Sequence, residues 1–547
     1  MNPSIEVKKD IFYPLRIGKK VVKTFLASSN TRLENEFIKK LGRYKVKWQP
    51  RNRNLILSQE FADYTPCLHL AYLCKKFAEK ENANVGVYSV MGWMDSKDYS
   101  SNTWHKRLCT EINYKKLDRV YLSYAGKVIY RNIYHYRLQN VVESVFAEIR
   151  KTIHSKEDVI NIQVEGIKIG DLVYDTYLRF YSKATVDIHN PLLDHVIKQA
   201  LDIFFNFKEL LKKYNVKGLV NMYTTYIHSG IFVRLCLKNN IPVYTTGSHN
   251  SIVNRVHDYY PSHFSPHFLY KKLFDSLDKK EECLEEAKLQ FEKRFKGEKD
   301  DAISYMRINA FSKEYDSALT KYDWSKTVVV LAHCMFDSPH VYRQLLFPDF
   351  FEWLVFTLDT LSHNKDITVL VKQHPNGLEG NNEIFEGLKN KYAASNIVFI
   401  NKSTSNQQIM DSKPIAVVTA HGTAGAEFTY FNIPVVNLFD NPYTAFSFTH
   451  TGHSIQQYGD LLSRVGTLPN INNRNDILAH YYMHHIYFMQ NVYKDYMGFI
   501  DYKGDTYSDA FLASYLPKMT ENFLKETEAI KLKGLNLIDW MEEKQIN

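Results

Sequence analysis

The sequence has little that would tie the chain to a membrane, a metal or a disulfide framework. No stretch approaches the roughly 18 consecutive apolar residues that a spanning helix needs. The N-terminus from Met1 to Lys9 is polar, without the apolar core of a secretory leader. Cysteine is sparse: Cys67, Cys74, Cys109, Cys236, Cys283 and Cys334 are scattered, and none forms a Cys-x-x-Cys pair. This pattern predicts reduced thiols, a cytoplasmic setting and no zinc site of the usual spacing. No Asp-x-Asp occurs, so that acidic metal-binding signature is missing. Neither a Gly-x-Gly-x-x-Gly turn nor a P-loop is present. Internal repeats, low-complexity tracts, long basic tails and recognised nucleic-acid motifs are absent too, which argues against a nucleic-acid partner.

What is present is an ordinary globular composition: 45% hydrophobic and 24% charged over 547 residues, too long for a single core. The net charge of +9 is spread along the chain and suits an anionic substrate or an anionic membrane surface. The 38 Tyr and 33 Phe suit a sugar-binding surface, but a compositional bias yields the same excess, so they assign nothing by themselves.

The pattern alternates strand and helix. In the first half, short strands at 55–57, 84–90, 218–220 and 241–246 are interleaved with helical stretches at 65–80, 201–213 and 229–238. Residues 1–50 read as basic and helical, and Lys279–Asp300 as a solvated helix with Lys and Glu at i, i+4 spacing. From Lys326 the alternation is regular, with strands at 328–331, 367–372, 397–400, 416–419 and 433–437. We expect an α/β protein with largely parallel sheets: an N-terminal Rossmann-like domain with insertions (1–322), a C-terminal Rossmann-like domain (323–467), and a helical extension (468–547) that packs back on the first.

The chemistry gathers at strand ends. Val417–Thr419 runs into Ala420-His421-Gly422-Thr423, whose small residues expose backbone N–H groups at the start of a helix that Thr423 can cap, an arrangement suited to phosphate. Glu427, one turn into that helix, suits ribose hydroxyls or simply the helix dipole. A second strand ends in Lys372-Gln373-His374-Pro375, where Pro375 stops the strand and His374 and Lys372 can donate to a phosphate oxygen. A third is followed by Phe336-Asp337-Ser338-Pro339-His340, so Asp337 and His340 face the same edge, with Arg343 a further phosphate candidate. In the first half, Gly166–Arg179 places Asp171, Asp175 and Arg179 on one helix face. Asp171 is either an N-cap or a general base aimed at an acceptor hydroxyl, and Glu165 competes for the second role. Gly247-Ser248-His249 ends another strand, which sets His249 with Asp175 and Arg179 as acceptor-binding candidates.

These segments, with Asn441-Pro442 and Ala445-Phe446, resemble bacterial capsule and surface-polysaccharide biosynthesis proteins. That group is similar to glycosyltransferases of the GT-B type, in which two Rossmann-like domains face a cleft. The resemblance to sialyl- and Kdo-transferases implies that His374 holds the phosphate of a CMP-sugar, with Thr423 near it, and that a first-domain carboxylate acts as base. Here only Val164-Glu165-Gly166 stands for their acidic motif. It further implies a nucleotide-sugar as co-substrate, no metal or other cofactor, a saccharide or lipid-linked saccharide acceptor, and a place on the cytoplasmic face of the inner membrane. A nucleotide-sugar 2-epimerase and a polyol-phosphate transferase of the same architecture are the alternatives.

Overall fold

A computed structural model of the chain describes residues 13–27, 53–59, 81–89, 127–131, 138–221, 223–245, 254–256, 270–297, 315–341, 345–375, 380–471 and 473–487, with isolated positions between them. Most of the expected helix at 65–80, the His249 turn, Arg343 and the tail beyond 487 lie outside the described residues.

By internal contacts the chain forms two compact units: residues 1–133, 214–217 and 504–525 make the first, and the remainder the second. The first contains helix α1 (Tyr13–Ala27) and strands β1 (Asn54–Gln59), β2 (Asn84–Ser89) and β3 (Lys127–Arg131). These strands are parallel, with Leu55 opposite Asn84 and Gly86 opposite Lys127. At its edge Asn215 N–H donates to Arg53 O at 3.0 Å.

In the second unit two helices (Gln139–Lys151 and Lys156–Ile160) precede a hairpin, β4 (Gln163–Val164) and β5 (Ile167–Lys168), and then helix α2 (Gly170–Tyr181). The hairpin turn is Glu165-Gly166 with φ of +51° and +74°, the positive pair that a type I′ turn demands. Gly170 is required for a different reason: a Cβ there would lie 2.0 Å from Val159 O. Helix α3 (Pro191–Lys213) is ten residues longer at its start than the amphipathic pattern at 201–213 suggested, because Pro191 suits a first turn whose N–H groups are unpaired anyway. Next come β6 (Asn215–Asn221), a single π turn (Tyr226–Gly230), α4 (Ile231–Lys238), β7 (Val243–Thr245) and the antiparallel β8 (Asn254–Val256). The order of this first sheet is β3-β2-β1-β6-β7-β8.

Helix α5 (Lys280–Phe295) leads to the second sheet, built from β9 (Thr327–Leu331), β10 (Thr368–Lys372), β11 (Ile397–Ile400), β12 (Ala416–Thr419), β13 (Val435–Leu438) and β14 (His450–Gly452). Helices α6 (Phe350–Ser362), α7 (Asn381–Lys391), α8 (Asn406–Ser412), α9 (Ala424–Tyr430) and α10 (Ile455–Ser463) connect or follow these strands. The sheet order is β11-β10-β9-β12-β13-β14, and every pair is parallel. The three-residue β14 is an addition to the expected five strands: His450-Thr451-Gly452 has none of the apolar run that marked the others.

Both sheets therefore follow the doubly wound order 3-2-1-4-5-6, and the protein is an α/β protein with two Rossmann-like sheets. The second is covered on both faces, which explains its uninterrupted Val-rich strands. Val328, Val330, Val369, Val371, Ala416 and Val418 face Trp353, Leu358, Phe385 and Leu462. Val329, Leu331, Leu370, Val417 and Val435 face Ile409, Met410 and Phe428. Each such side chain contributes about 1.5–3 kcal/mol by leaving water. The described part of the C-terminal segment, helix α11 (Arg474–Tyr481) and a π turn (Tyr482–Tyr487), packs on α5 through Ala287 and Phe291, and on Tyr430, Tyr443 and Phe446. Among the described residues no helix is long and apolar enough to cross a membrane.

Candidate active site

Strand register places the chemistry. Leu331 on β9 lies opposite Lys372 of β10 on one side and Thr419 of β12 on the other, so these strands end on one level. Two residues beyond that level stand His333, His374 and His421. The gap between β9 and β12 is where the strand order reverses, the crevice in which doubly wound sheets take their ligands.

His421 N–H donates to His333 Nε2 at 3.0 Å, which leaves the His333 proton on Nδ1. Burial pushes His333 down to about 3, and His374 adds to that; His421 falls well below its ordinary value for the same reason. Both rings are therefore neutral at pH 7. His374 is exposed as a residue, yet partial burial of its imidazole lowers its pKa; Asp337 opposes this shift and Lys372 reinforces it.

Lys372 is 2% exposed. Its Nζ donates to Asn406 Oδ1, and burial draws its pKa down to about 8 against the opposing charge of Glu427. Glu427 is itself buried and accepts from Arg294 Nη2 at 2.5 Å and from Thr423 Oγ1 at 3.0 Å. The Thr423 hydroxyl thus turns to Glu427 and does not cap α9, whose backbone it enters at φ −53°. Gly422 is half-buried and its carbonyl accepts from Tyr443 Oη at 3.2 Å. Pro375 forms the turn after β10.

Helix α2 brings a second set of groups. Asp171 lies in its first turn, behind the cap residue Ile169. Arg234 grips both Asp171 oxygens at 2.6 Å each. Burial alone would raise this carboxyl, but Arg234 outweighs burial and holds it below the ordinary value. Asp175, one turn on, accepts from the His340 backbone N–H at 3.3 Å, and its Oδ1 lies 2.6 Å from His340 Nδ1. Burial pushes Asp175 up to about 6 against the pull of His340. Burial would lower His340, but Asp175 and Asp171 outweigh it and its pKa is raised. Asp175 thus fixes the ring by Nδ1 and favours a basic Nε2, the carboxylate–imidazole relation of general-base catalysis. Nearby, Tyr174 Oη donates to Asp349 Oδ2 at 2.5 Å, and Asp349 also caps α6 by accepting from Glu352 N–H at 2.8 Å.

The structure therefore groups Lys372, His374, His421, Gly422, Thr423 and Glu427 along the end of the second sheet, and joins Asp175 to His340. Asp337 is exposed beside them and Arg179 is half-buried, with its charge reaching Tyr226 as those of Asp337 and Asp175 do. Glu165 stands apart on the exposed hairpin turn, 2.6 Å from Lys208 Nζ. His249 is outside the described residues. Among the described residues no three His, Cys, Asp or Glu side chains gather as metal ligands. Sequence reasoning missed His333, Arg234 and Arg294. His333 had a signal: Val-Leu-Ala-His, Val-Lys-Gln-His and Val-Thr-Ala-His end three strands alike. The two arginines had none, since their partners are 63 and 133 residues away.

No family model matches the chain, and no curated protein matches it. Solved structures do. A β-Kdo 2,4-transferase, KpsC of Thermosulfurimonas dismutans, is 10% identical over 49% of this chain and 79% of its own, with a TM-score of 0.30. The UDP-GlcNAc 2-epimerase of Methanocaldococcus jannaschii, solved with UDP-GlcNAc and UDP, is 11% identical over 78% and 97%, with a TM-score of 0.25. TarM is 11% identical over 88% and 98%, with a TM-score of 0.22. Scores this low transfer no residue and no activity; the fold class rests on the strand orders above.

Proposed function

We propose that the chain is a glycosyltransferase that moves a sugar from a nucleotide-sugar, a CMP-sugar in the first instance, to a growing cell-surface polysaccharide of the capsule or O-antigen kind. The observation that carries this reading is the meeting, at one sheet edge, of a buried cation and neutral histidines with a carboxylate-oriented imidazole. Lys372 and His374 take the donor phosphate, with His333, His421, Gly422 and Thr423 shaping the crevice around it. His340, oriented by Asp175, takes the proton from an acceptor hydroxyl, and that oxygen attacks the anomeric carbon of the donor. The bond from this carbon to the phosphate oxygen breaks, and the negative charge left on the nucleotide is met by Lys372 and His374 in place of a metal ion. Asp171 is tied to Arg234 and Glu165 to Lys208, which favours His340 as base over both.

The same reading places the protein on an anionic membrane surface. Helix α1 carries Arg16, Lys19, Lys20 and Lys23 and no acidic residue, with Val22, Phe25 and Leu26 58–69% exposed, the composition of an interfacial helix.

The test is a thermal-shift screen of CMP, CDP, UDP and GDP on the intact chain and on His374→Ala. A ligand at a hundred times its Kd adds about 2.7 kcal/mol of stability. Stabilisation by CMP that the substitution abolishes supports a CMP-sugar donor. A UDP response moves the donor to a UDP-sugar, and a CDP preference to polyol-phosphate transfer. No response to any nucleotide overturns the assignment.

A further inference from the structure

The charges along β5 and α2 are paired unevenly. Lys168, Asp171, Asp175 and Arg179 recur at helical spacing along one side of the segment that begins at β5. The two inner carboxylates are spoken for, Asp171 by Arg234 and Asp175 by His340. The two outer cations are not: the side chains of Lys168 and Arg179 make no hydrogen bond or ion pair among the described residues. Both are half-buried; the charge of Lys168 reaches His340, and that of Arg179 reaches Tyr226. Among the described residues Glu427 is bound to Arg294, Lys168 and Arg179 keep no ion pair, and Asp337 in the loop after β9 is exposed.

Beside Arg179 the backbone itself is unusual. Tyr226 has φ +59°, a region that bulky residues avoid, and it opens a π turn directly after β6, where the order of the first sheet reverses. Strain of this kind persists where the surroundings demand a side chain in one place. The Tyr226 ring stacks on His228 with a centroid separation of 5.6 Å and an angle of 9°, and Phe180 meets both rings edge-on at 5.5 and 5.6 Å. The Tyr226 phenol lies near Ser338, in the loop that also carries Asp337 and His340; burial raises its pKa, and Asp337 acts on it before Arg179 does. A cluster of aromatic rings is thus held beside Arg179, which makes no ion pair among the described residues, and near the loop that carries His340.

We propose that the acceptor is an acidic saccharide, whose carboxylate or phosphate group is bound by Arg179 and Lys168 while a sugar ring lies against Tyr226. This rests on His340 being the acceptor base, but the binding itself does not depend on the donor. The chemistry is that of a guanidinium and an ammonium with an oxyanion, and Arg179 can take two oxygens of one group at once.

The experiment is calorimetric binding of methyl glucoside, methyl glucuronide and glucose 6-phosphate to the intact chain, to Arg179→Gln, to Lys168→Gln and to Tyr226→Gly, with the nucleotide thermal shift followed in parallel. The expected result is binding of an acidic sugar at least tenfold tighter than the neutral one. That preference should fall about tenfold in each charge variant, while the nucleotide response is unchanged. Tighter binding of the glucuronide assigns a carboxylate, and tighter binding of the 6-phosphate a phosphate. Tyr226→Gly relieves the positive φ but deletes the ring that packs on His228 and Phe180, so its melting temperature is expected to fall; measured below that melting temperature, where the variant is folded, it should bind every sugar more weakly. Equal binding of neutral and acidic sugars, no binding of any, or a preference that survives Arg179→Gln overturns the proposal. An acid preference in a chain that binds no nucleotide leaves this inference standing and removes the donor assignment.

Discussion

Replacing Lys372 by methionine is expected to stabilise the free protein while destroying its response to nucleotide. The ammonium is 2% exposed, and burial draws its pKa from 10.5 to about 8. At about 1.4 kcal/mol per unit, the folded chain bears roughly 3 kcal/mol for keeping that charge at pH 7. The sign follows from proton uptake: between pH 8 and 10.5 the unfolded chain binds the proton that the folded chain releases, so stability rises with pH across this window. Below pH 8 the penalty is complete. Methionine has a similar length and no charge, so it removes the penalty. It also leaves Asn406 Oδ1 without its Lys372 donor, a loss of about 1 kcal/mol. The net gain at pH 7 is then about 2 kcal/mol, and it should shrink as the pH approaches 10.5. Urea unfolding of both chains at a series of pH values measures the gain, and the nucleotide thermal shift on the same samples measures the function. A variant that is less stable than the parent at pH 7, or one that keeps its nucleotide shift, refutes the view that this charge is retained for a ligand.

Asp175→Asn should lower kcat/KM by about 10²–10⁴-fold and move the acid limb of its pH profile downward. In the proposed mechanism His340 acts unprotonated, and Asp175, with Asp171, lifts its pKa against burial; a limb that stays in place counts against the pairing. Arg234→Met leaves Asp171 buried without its partner and should cost about 3–5 kcal/mol in urea unfolding, largely recovered in the Arg234→Met/Asp171→Leu double variant. Gly170→Ala forces a Cβ to within 2.0 Å of Val159 O, so backbone must shift at the start of α2; a drop of at least 2 kcal/mol is expected, and an unchanged urea midpoint would contradict the packing. Neutralising Lys19, Lys20 and Lys23 to Gln should weaken sedimentation with phosphatidylserine vesicles on the order of a hundredfold, since each cation near such a surface contributes about 1 kcal/mol. Unchanged sedimentation would remove α1 from the membrane reading.

The second sheet was legible in the sequence because its strands are buried on both faces. Val328–Leu331, Val369–Lys372 and Val417–Thr419 then have to be continuous apolar runs, and the residues that follow them are forced to the edge where the strand order reverses. The Lys372-Gln373-His374-Pro375 and His421-Gly422-Thr423 segments were found on that basis. β14 was not, since an edge strand of three residues with His and Thr needs no such run. In α2, spacing alone put Asp171, Asp175 and Arg179 on one face but left the two carboxylates equivalent.

Only the tertiary structure separated them. Arg234 reaches Asp171 from α4, and His340 reaches Asp175 from the loop after β9, each across more than sixty residues. Hydrophobic periodicity is a local property and survives in the sequence as a pattern. The choice of ion partner depends on which elements meet, and burial then decides how strongly each pair acts. The sequence alone therefore determined the α/β class and the sheet edge that carries Lys372, His374 and His421; folding decided which carboxylate is neutralised by an arginine, which meets an imidazole, and which cations are left without an ion pair among the described residues.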